Sequence, residues 1–367
     1  MNICIVAGAR PNFIKVAPII RAVERAKEQG REMDFKLVYA GMSDDTTLES
    51  SLFEDLQIRR PDVFLGVECE NLNELTGKVM SSFELYLRQN PTDAVIVVDD
   101  LASTLAAAIV TKKQGILLAH LVAGTRSFDI KMPKEINRLV IDGLSDLLFT
   151  AGMGSQSIAT REGAELSKIY LVGNILMDTL RFNYNRLKKP LVFGTLELVE
   201  GGYLVFTLNR KTLITDTANL RKMLESLMTN AHDMPVVAPL RGMAAAAIRG
   251  LGMNLPGFHL LSPLGYLEFG YLTAHAKGII TDSGNVAEEA TFNSVPCITL
   301  NSYTEHIETV KIGSNVLVGE DADKLGTAVA DMVAGRWKKC AIPDRWDGRS
   351  AERIVQILLE HNHSEAR

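Results

Sequence analysis

The stretch "HLVAGTRSFDIKMPKEINR" gathers His120, Arg126, Lys134, Glu135 and Arg138 into nineteen residues, in a loop-like passage that follows an apolar strand. An imidazole, a carboxylate and three cations are groups that move protons and hold anions. A long polar loop in a compact domain is also more often functional than connecting. Taken alone, a histidine such as His120 is more often a satisfied core histidine than a catalyst. Upstream, the apolar run "VIVVDD" ends in two adjacent carboxylates, Asp99 and Asp100, before small and hydroxylated residues open a helix. A carboxylate at such a strand end serves as a base, holds a sugar hydroxyl or caps the helix. Capping accounts for one of the pair more easily than for both.

Three further turns have anion-binding or ligand-facing chemistry. In "AGARPNFIK", Gly8 and Pro11 make a tight turn into a helix that carries Arg10 and Lys15 near its start. Free backbone N–H groups at a helix start plus two cations suit a phosphate or pyrophosphate. Solvated charges on an ordinary turn fit equally well, since the stretch is neither G-x-G-x-x-G nor a P-loop. In "TLNRKT", Asn209 and Arg210 follow a strand, and Asn209 can hydrogen-bond but cannot shuttle a proton near neutral pH. In "GIITDSGNVAEEA", a strand becomes a polar turn opening into a helix with adjacent acids. Asn285 followed three residues later by Glu288 is a capping-box pattern, which the helix dipole favours without any ligand; a phosphate cradle is the competing reading.

The elements that position these residues alternate along nearly the whole chain. "ICIVAG", "FKLVYAG", "AVIVVDD", "ILLAHLVAG", "DLLFTAG" and "IYLVGN" are short apolar runs separated by helical patterns, which predicts a parallel sheet covered on both faces. The rhythm breaks near residues 181 to 202 and restarts with "YLVFTLN", "MPVVAPL", "FHLLSPL", "KGIITDS", "VPCITLN" and "NVLVG". Two doubly wound α/β domains follow, at 1–185 and 186–345, with a helix in 346–367 that could pack on either. Ligands of open parallel sheets sit at strand C-termini, so the site is expected in a cleft faced by both sets of strand ends.

At 367 residues, 47% hydrophobic and 23% charged, the chain has the composition of a two-domain globular protein. A net charge of -5 and no basic cluster argue against nucleic acid or an anionic membrane as partner. The N-terminus reads as a first strand rather than a signal peptide, and no apolar stretch approaches a membrane span. Cys4, Cys69, Cys297 and Cys340 are scattered, which predicts neither a zinc site nor a redox pair and fits the cytoplasm.

Taken in order over residues 8 to 319, "GARP" with Lys15, the "HLVAGTR" to "PKEINR" block, "VGNILMDTL", "TLNR", "TDSGNVAEEA" and "YTEHIETVKIGSNVLVG" resemble the non-hydrolysing UDP-N-acetylglucosamine 2-epimerases. The resemblance implies a GT-B-like pair of Rossmann-type domains with UDP or a UDP-sugar in the cleft. It also implies a homodimer, no metal and no nicotinamide cofactor, and a C-terminal helix packed back on the first domain. The implied reaction removes the sugar's C2 proton with anti elimination of UDP, passes through a 2-acetamidoglucal, and re-adds UDP with proton delivery on the opposite face. UDP-N-acetylglucosamine and UDP-N-acetylmannosamine would thereby be interconverted.

By the same resemblance Arg10 and Lys15 lie on the phosphate side, and Asp100 is the acid of a "GD" strand end. Arg126 is the arginine of an "EAGLR" block. Ser283, Gly284 and Glu289 form the nucleotide loop, with the acid on ribose hydroxyls, and Phe269 is the aromatic at uracil. Lys15, Asp100, Glu135 and His120 are the candidate catalytic residues; Asn209, Arg210, Asn285 and His306 complete the candidate binding set. The chain departs from the family pattern at Val122 and Lys134, each in place of a catalytic glutamate, and at Asn209 in place of a histidine. Asn285 also replaces a second glycine, and His306 and Asn301 replace arginines. These departures set a second expectation beside the first: a relative that binds a nucleotide or nucleotide-sugar with silent or altered chemistry.

Overall fold

The computed structural model describes residues 1–365, in which the chain forms two compact units. The first is Met1–Phe182 together with the chain from Asp344 onward, and the second is Asn183–Pro343.

In the first unit β1 (Asn2–Ala7), α1 (Arg10–Glu28), β2 (Asp34–Tyr39), α2 (Ser50–Leu56) and β3 (Val63–Phe64) are followed by α3 (Leu72–Gln89), β4 (Ala94–Val98), α4 (Ala102–Lys113) and β5 (Leu117–Ala123). Then come α5 (Pro133–Leu144), β6 (Leu147–Thr150), α6 (Met153–Arg161), β7 (Ile169–Leu171) and α7 (Ile175–Asn183). The strands form one parallel sheet in the order β3-β2-β1-β4-β5-β6-β7. All five residues of β4 are buried, as a strand covered on both faces requires. The order reverses between β1 and β4, so the turns after these two strands flank a topological switch point.

The second unit repeats the plan. It contains α8 (Val192–Thr195), β8 (Leu204–Phe206), α9 (Lys211–Thr215), α10 (Thr217–Ala231), β9 (Val236–Pro239), α11 (Gly242–Gly250) and β10 (Phe258–Leu261). It continues through α12 (Tyr266–Ala274), β11 (Gly278–Thr281), α13 (Gly284–Phe292), β12 (Cys297–Thr299), α14 (Glu308–Lys311), β13 (Asn315–Leu317) and α15 (Ala322–Val333). Its parallel sheet has the order β10-β9-β8-β11-β12-β13, with the switch point between β8 and β11.

The chain then returns to the first unit, where α16 (Ser350–Glu365) packs against α1. Trp346, 1% exposed, precedes it and donates its indole N–H to the Ala151 carbonyl at 3.0 Å. The Asp178 carboxylate accepts the backbone N–H groups of Ser350 and Ala351, at 3.1 and 2.8 Å, which satisfies two orphan donors at the start of α16. Burial pushes the Asp178 carboxyl up to about 6.

Candidate functional site

The turn after β1 lies against the start of α4 so closely that a Cβ on Gly8 would stand 2.0 Å from Ser103 Oγ. Any larger residue there would have to move the Ser103 hydroxyl and press on Leu101. Pro11 near the start of α1 brings its preset φ where its missing N–H is harmless. The Asn12 side chain accepts the N–H groups of Gly8 and Ala9 and fixes the turn. Arg10 and Lys15 are thereby held in the first two turns of α1, and Lys15 reaches the residue after β4.

There Lys15 Nζ lies 2.6 Å from Asp99 Oδ1, and Asn12 Nδ2 donates to Asp99 Oδ2 at 2.9 Å. Asp99 is left-handed, with φ 59°. The next carboxylate, Asp100, faces other cations: Arg138 Nη2 at 2.6 Å and Lys134 Nζ at 3.4 Å. Burial pushes the Asp100 carboxyl up, but Lys134 and Arg138 outweigh it and hold the group below its ordinary value.

Glu135 anchors the polar loop between β5 and α5. Its carboxylate accepts from Ser127 N and Oγ, each at 3.0 Å, from Phe128 N at 2.9 Å and from Arg138 Nη1 at 3.1 Å. Those bonds overcome the cost of burial and keep it below the usual carboxylate range. His120, 1% exposed, has Nδ1 2.6 Å from Asp142 Oδ1 and Nε2 2.8 Å from the Asp99 carbonyl, so it ties β5 to the end of β4. Arg126 is equally enclosed. It bonds Glu162 through Nε and Nη2 and reaches Asp142 Oδ2 at 2.8 Å. Burial pushes Asp142 up, yet His120 and Arg126 hold it below its ordinary value. Asn12, Asp142 and Glu162 thus belong to this cluster although nothing in their local sequence distinguishes them.

Val122 is half-buried and left-handed, with φ 69°, a genuine outlier for a β-branched side chain. The pairing of β5 with β6 shifts register between Leu121 and Ala123, on either side of it.

The second unit has its own polar cluster at the β8/β11 switch point. Asp282, just after β11, accepts the backbone N–H groups of Asn209 and Arg210 through Oδ2, at 2.7 and 2.5 Å, and so fastens the turn after β8. Arg210 Nη2 donates to the Leu300 carbonyl at 2.7 Å and to Glu320 at 2.8 Å. Three buried polar atoms gathered here have no hydrogen-bond partner among the described residues: Asp282 Oδ1, Asn301 Oδ1 and Arg210 Nε.

The helix α13 starts differently from the capping-box pattern. Ser283 is its N-cap and makes no side-chain cap bond; Gly284 and Asn285 occupy the first turn, and Glu288 is buried deeper along it. Glu288 Oε1 stands 3.6 Å from His306 Nε2. Burial and the neighbouring Glu288 push the Glu289 carboxyl up to about 8. Phe269, on α12, packs against a core cluster that includes Phe193, Tyr203 and Leu272. Among the described residues, no cluster of three or more His, Cys, Asp or Glu side chains could hold a metal, and no helix is long and apolar enough to cross a membrane.

The family model described as UDP-N-acetylglucosamine 2-epimerase matches residues 25–359 of the chain. The chain belongs to the UDP-N-acetylglucosamine 2-epimerase family. The UDP-N-acetylglucosamine 2-epimerase of Methanocaldococcus jannaschii is 33% identical to it, over 98% of this chain and 99% of the relative. The UDP-2,3-diacetamido-2,3-dideoxy-D-glucuronate 2-epimerase of Pseudomonas aeruginosa is 32% identical, over 89% of this chain and 90% of its own. The M. jannaschii enzyme solved in complex with UDP-N-acetylglucosamine and UDP aligns with a TM-score of 0.84, over 98% of this chain and 99% of that one. The Neisseria meningitidis enzyme, 24% identical, aligns at 0.87 over 98% and 100% and agrees in fold. The fold of this family member is accordingly the GT-B-like pair of parallel-sheet α/β domains.

Proposed function

We propose that this member of the 2-epimerase family interconverts UDP-N-acetylglucosamine and UDP-N-acetylmannosamine by eliminating and re-adding UDP. The C2–H electron pair becomes the C1–C2 double bond, the C2 proton passes to a protein base, and the C1–O pair leaves with UDP. Such a step needs positive charge for the departing diphosphate and a carboxylate beside the sugar. The observation that carries this reading is the pair of strand-end clusters. Lys15 meets Asp99, and Arg138 and Lys134 meet Asp100, at one switch point, and unpartnered buried polar atoms gather at the other.

In this reading Arg10 and Lys15 face the diphosphate, and Asp100 lies beside the reacting sugar. Glu135 and His120 hold the loop and the strand end in place. Arg126 braces that arrangement through Asp142. Asn209, Arg210, Ser283, Gly284, Asn285 and His306 hold the nucleotide, Glu289 meets ribose hydroxyls, and Phe269 lies toward uracil. A cytoplasmic homodimer completes it, supported by four free cysteines and by the exposed Ile136, Leu139 and Val140 along α5. Val122, Lys134 and Asn209 favour a second reading, a nucleotide-sugar binder without epimerase chemistry.

Proton–deuterium exchange at C2 of UDP-N-acetylglucosamine, followed by NMR in heavy water with the purified protein, separates the two. Exchange above background supports the epimerase. No exchange, with UDP still raising Tm, supports the binder, and absence of both sinks the nucleotide assignment.

A further inference from the structure

The strands β4 and β5 are parallel neighbours in register, with Val98 opposite Leu121. One step beyond, Asp99 and Val122 stand side by side at the two strand ends, where Asp99 N donates to the Leu121 carbonyl at 3.3 Å. Both are left-handed, at φ 59° and 69°. Aspartate adopts that conformation readily; valine does so only where the surroundings enforce it. Here His120 bonds the Asp99 carbonyl and Asp142, Asp142 also accepts the Gly124 N–H, and the β5–β6 pairing shifts register across Val122. The strand ends are therefore shaped to project residues 99 and 122, and only one of the two has a group that can move a proton.

Of the five acids of this cluster, Glu162 is the most exposed and is held by Arg126 through Nε and Nη2; among the other four, three are saturated. Asp142 is enclosed by His120, Arg126 and the Gly124 N–H; Glu135 receives four donors; Asp100 faces Arg138 and Lys134. Asp99 has the largest exposed side-chain share of the four, 18%, and is oriented by Asn12 and Lys15.

Resting on the epimerase reading above, we propose that Asp99 is the carboxylate that takes the sugar's C2 proton, from the strand end next to Val122. The C2 proton passes to an Asp99 carboxylate oxygen, the C–H pair forms the C1–C2 double bond, and the C1–O pair departs with UDP. Neutralising Asp99 releases the Lys15 ammonium from its ion pair at the moment negative charge develops on the diphosphate. Proton uptake and leaving-group stabilisation are then coupled through one contact of 2.6 Å.

The test is C2 exchange in heavy water, with the UDP-induced rise in Tm measured on the same preparations. Asp99→Asn is expected to lower exchange by about 10²- to 10⁴-fold while the UDP shift is kept. The double variant Asp99→Gly with Val122→Glu, which returns a carboxylate to the adjacent strand end and puts glycine at the left-handed position, is expected to recover exchange that Asp99→Gly alone loses. Undiminished exchange in Asp99→Asn overturns the assignment alone. So does loss of both exchange and the UDP shift in that variant, which marks a purely structural residue. A wild-type protein that binds UDP but exchanges nothing overturns the epimerase reading together with this one.

Discussion

Glu289 lies along α13 with 7% of its surface exposed, and its carboxyl is pushed up to about 8 from an ordinary value of 4.5 by burial and by Glu288. Between those two values the unfolded chain has lost this proton and the folded chain still holds it. Stability therefore falls as pH rises through that window and levels off above it. Glu289→Gln, which has no proton to lose, should flatten the decline in Tm between about pH 5 and 8; an unchanged profile would assign the decline to other groups. Asp100, Glu135 and Asp142 run the opposite way, since all three are held below their ordinary values and their contribution is lost as pH falls into the acid range. Glu135 anchors most tightly by count of bonds. Removing it takes the acceptor from Arg138 Nη1, which keeps its pair with Asp100, and from two loop N–H groups, so Glu135→Ala should cost about 1–3 kcal/mol in urea unfolding. A loss below about 1 kcal/mol would mean that water replaces the carboxylate.

At the scale of the elements, α16 depends on what precedes it. Trp346 fills a site in the first unit and hydrogen-bonds the Ala151 carbonyl, so Trp346→Ala should cost about 3–5 kcal/mol and lower the Tm of that unit. The break "AIPDRWDG" is visible in the sequence, but a tryptophan among proline, aspartate and glycine reads as part of a turn, and its anchoring role emerges only with the fold. The strands were legible because buried parallel strands are continuous apolar runs of the kind β4 displays. The start of α13 was not: Asn285 and Glu288 have the capping spacing, yet the turn after β11 makes Ser283 the cap and turns Glu288 inward toward His306. The cations of the candidate site could be named from sequence, whereas the acid each one pairs with could not. Lys15 and Asp99, or Arg126 and Glu162, are brought together by the order of strands in the sheet, which local pattern does not encode. The left-handed Val122 is a backbone property that its side-chain type argues against.

For the whole molecule, the course of the chain makes the two units unequal. Asn183–Pro343 is one continuous stretch, within the ordinary size of a domain, and its sheet is covered by an apolar cluster around Leu224, Leu227 and Val329 and a second around Tyr203, Leu272 and Ile279. The other unit is assembled from two stretches, because α16 and Trp346 arrive only after the second unit has been traversed. Residues 183–343 expressed alone should therefore melt in one cooperative transition, whereas residues 1–182 alone, with the face of α1 that meets α16 uncovered, should melt well below the same unit in the full chain. The polar atoms at the β8/β11 switch point all belong to the continuous stretch. If they hold the nucleotide, UDP at a hundred times its Kd should stabilise the isolated fragment by about 2.7 kcal/mol, read as a concentration-dependent rise in Tm. A fragment that folds but ignores UDP would shift the principal nucleotide contacts to Arg10, Lys15 and Arg138 in the first unit.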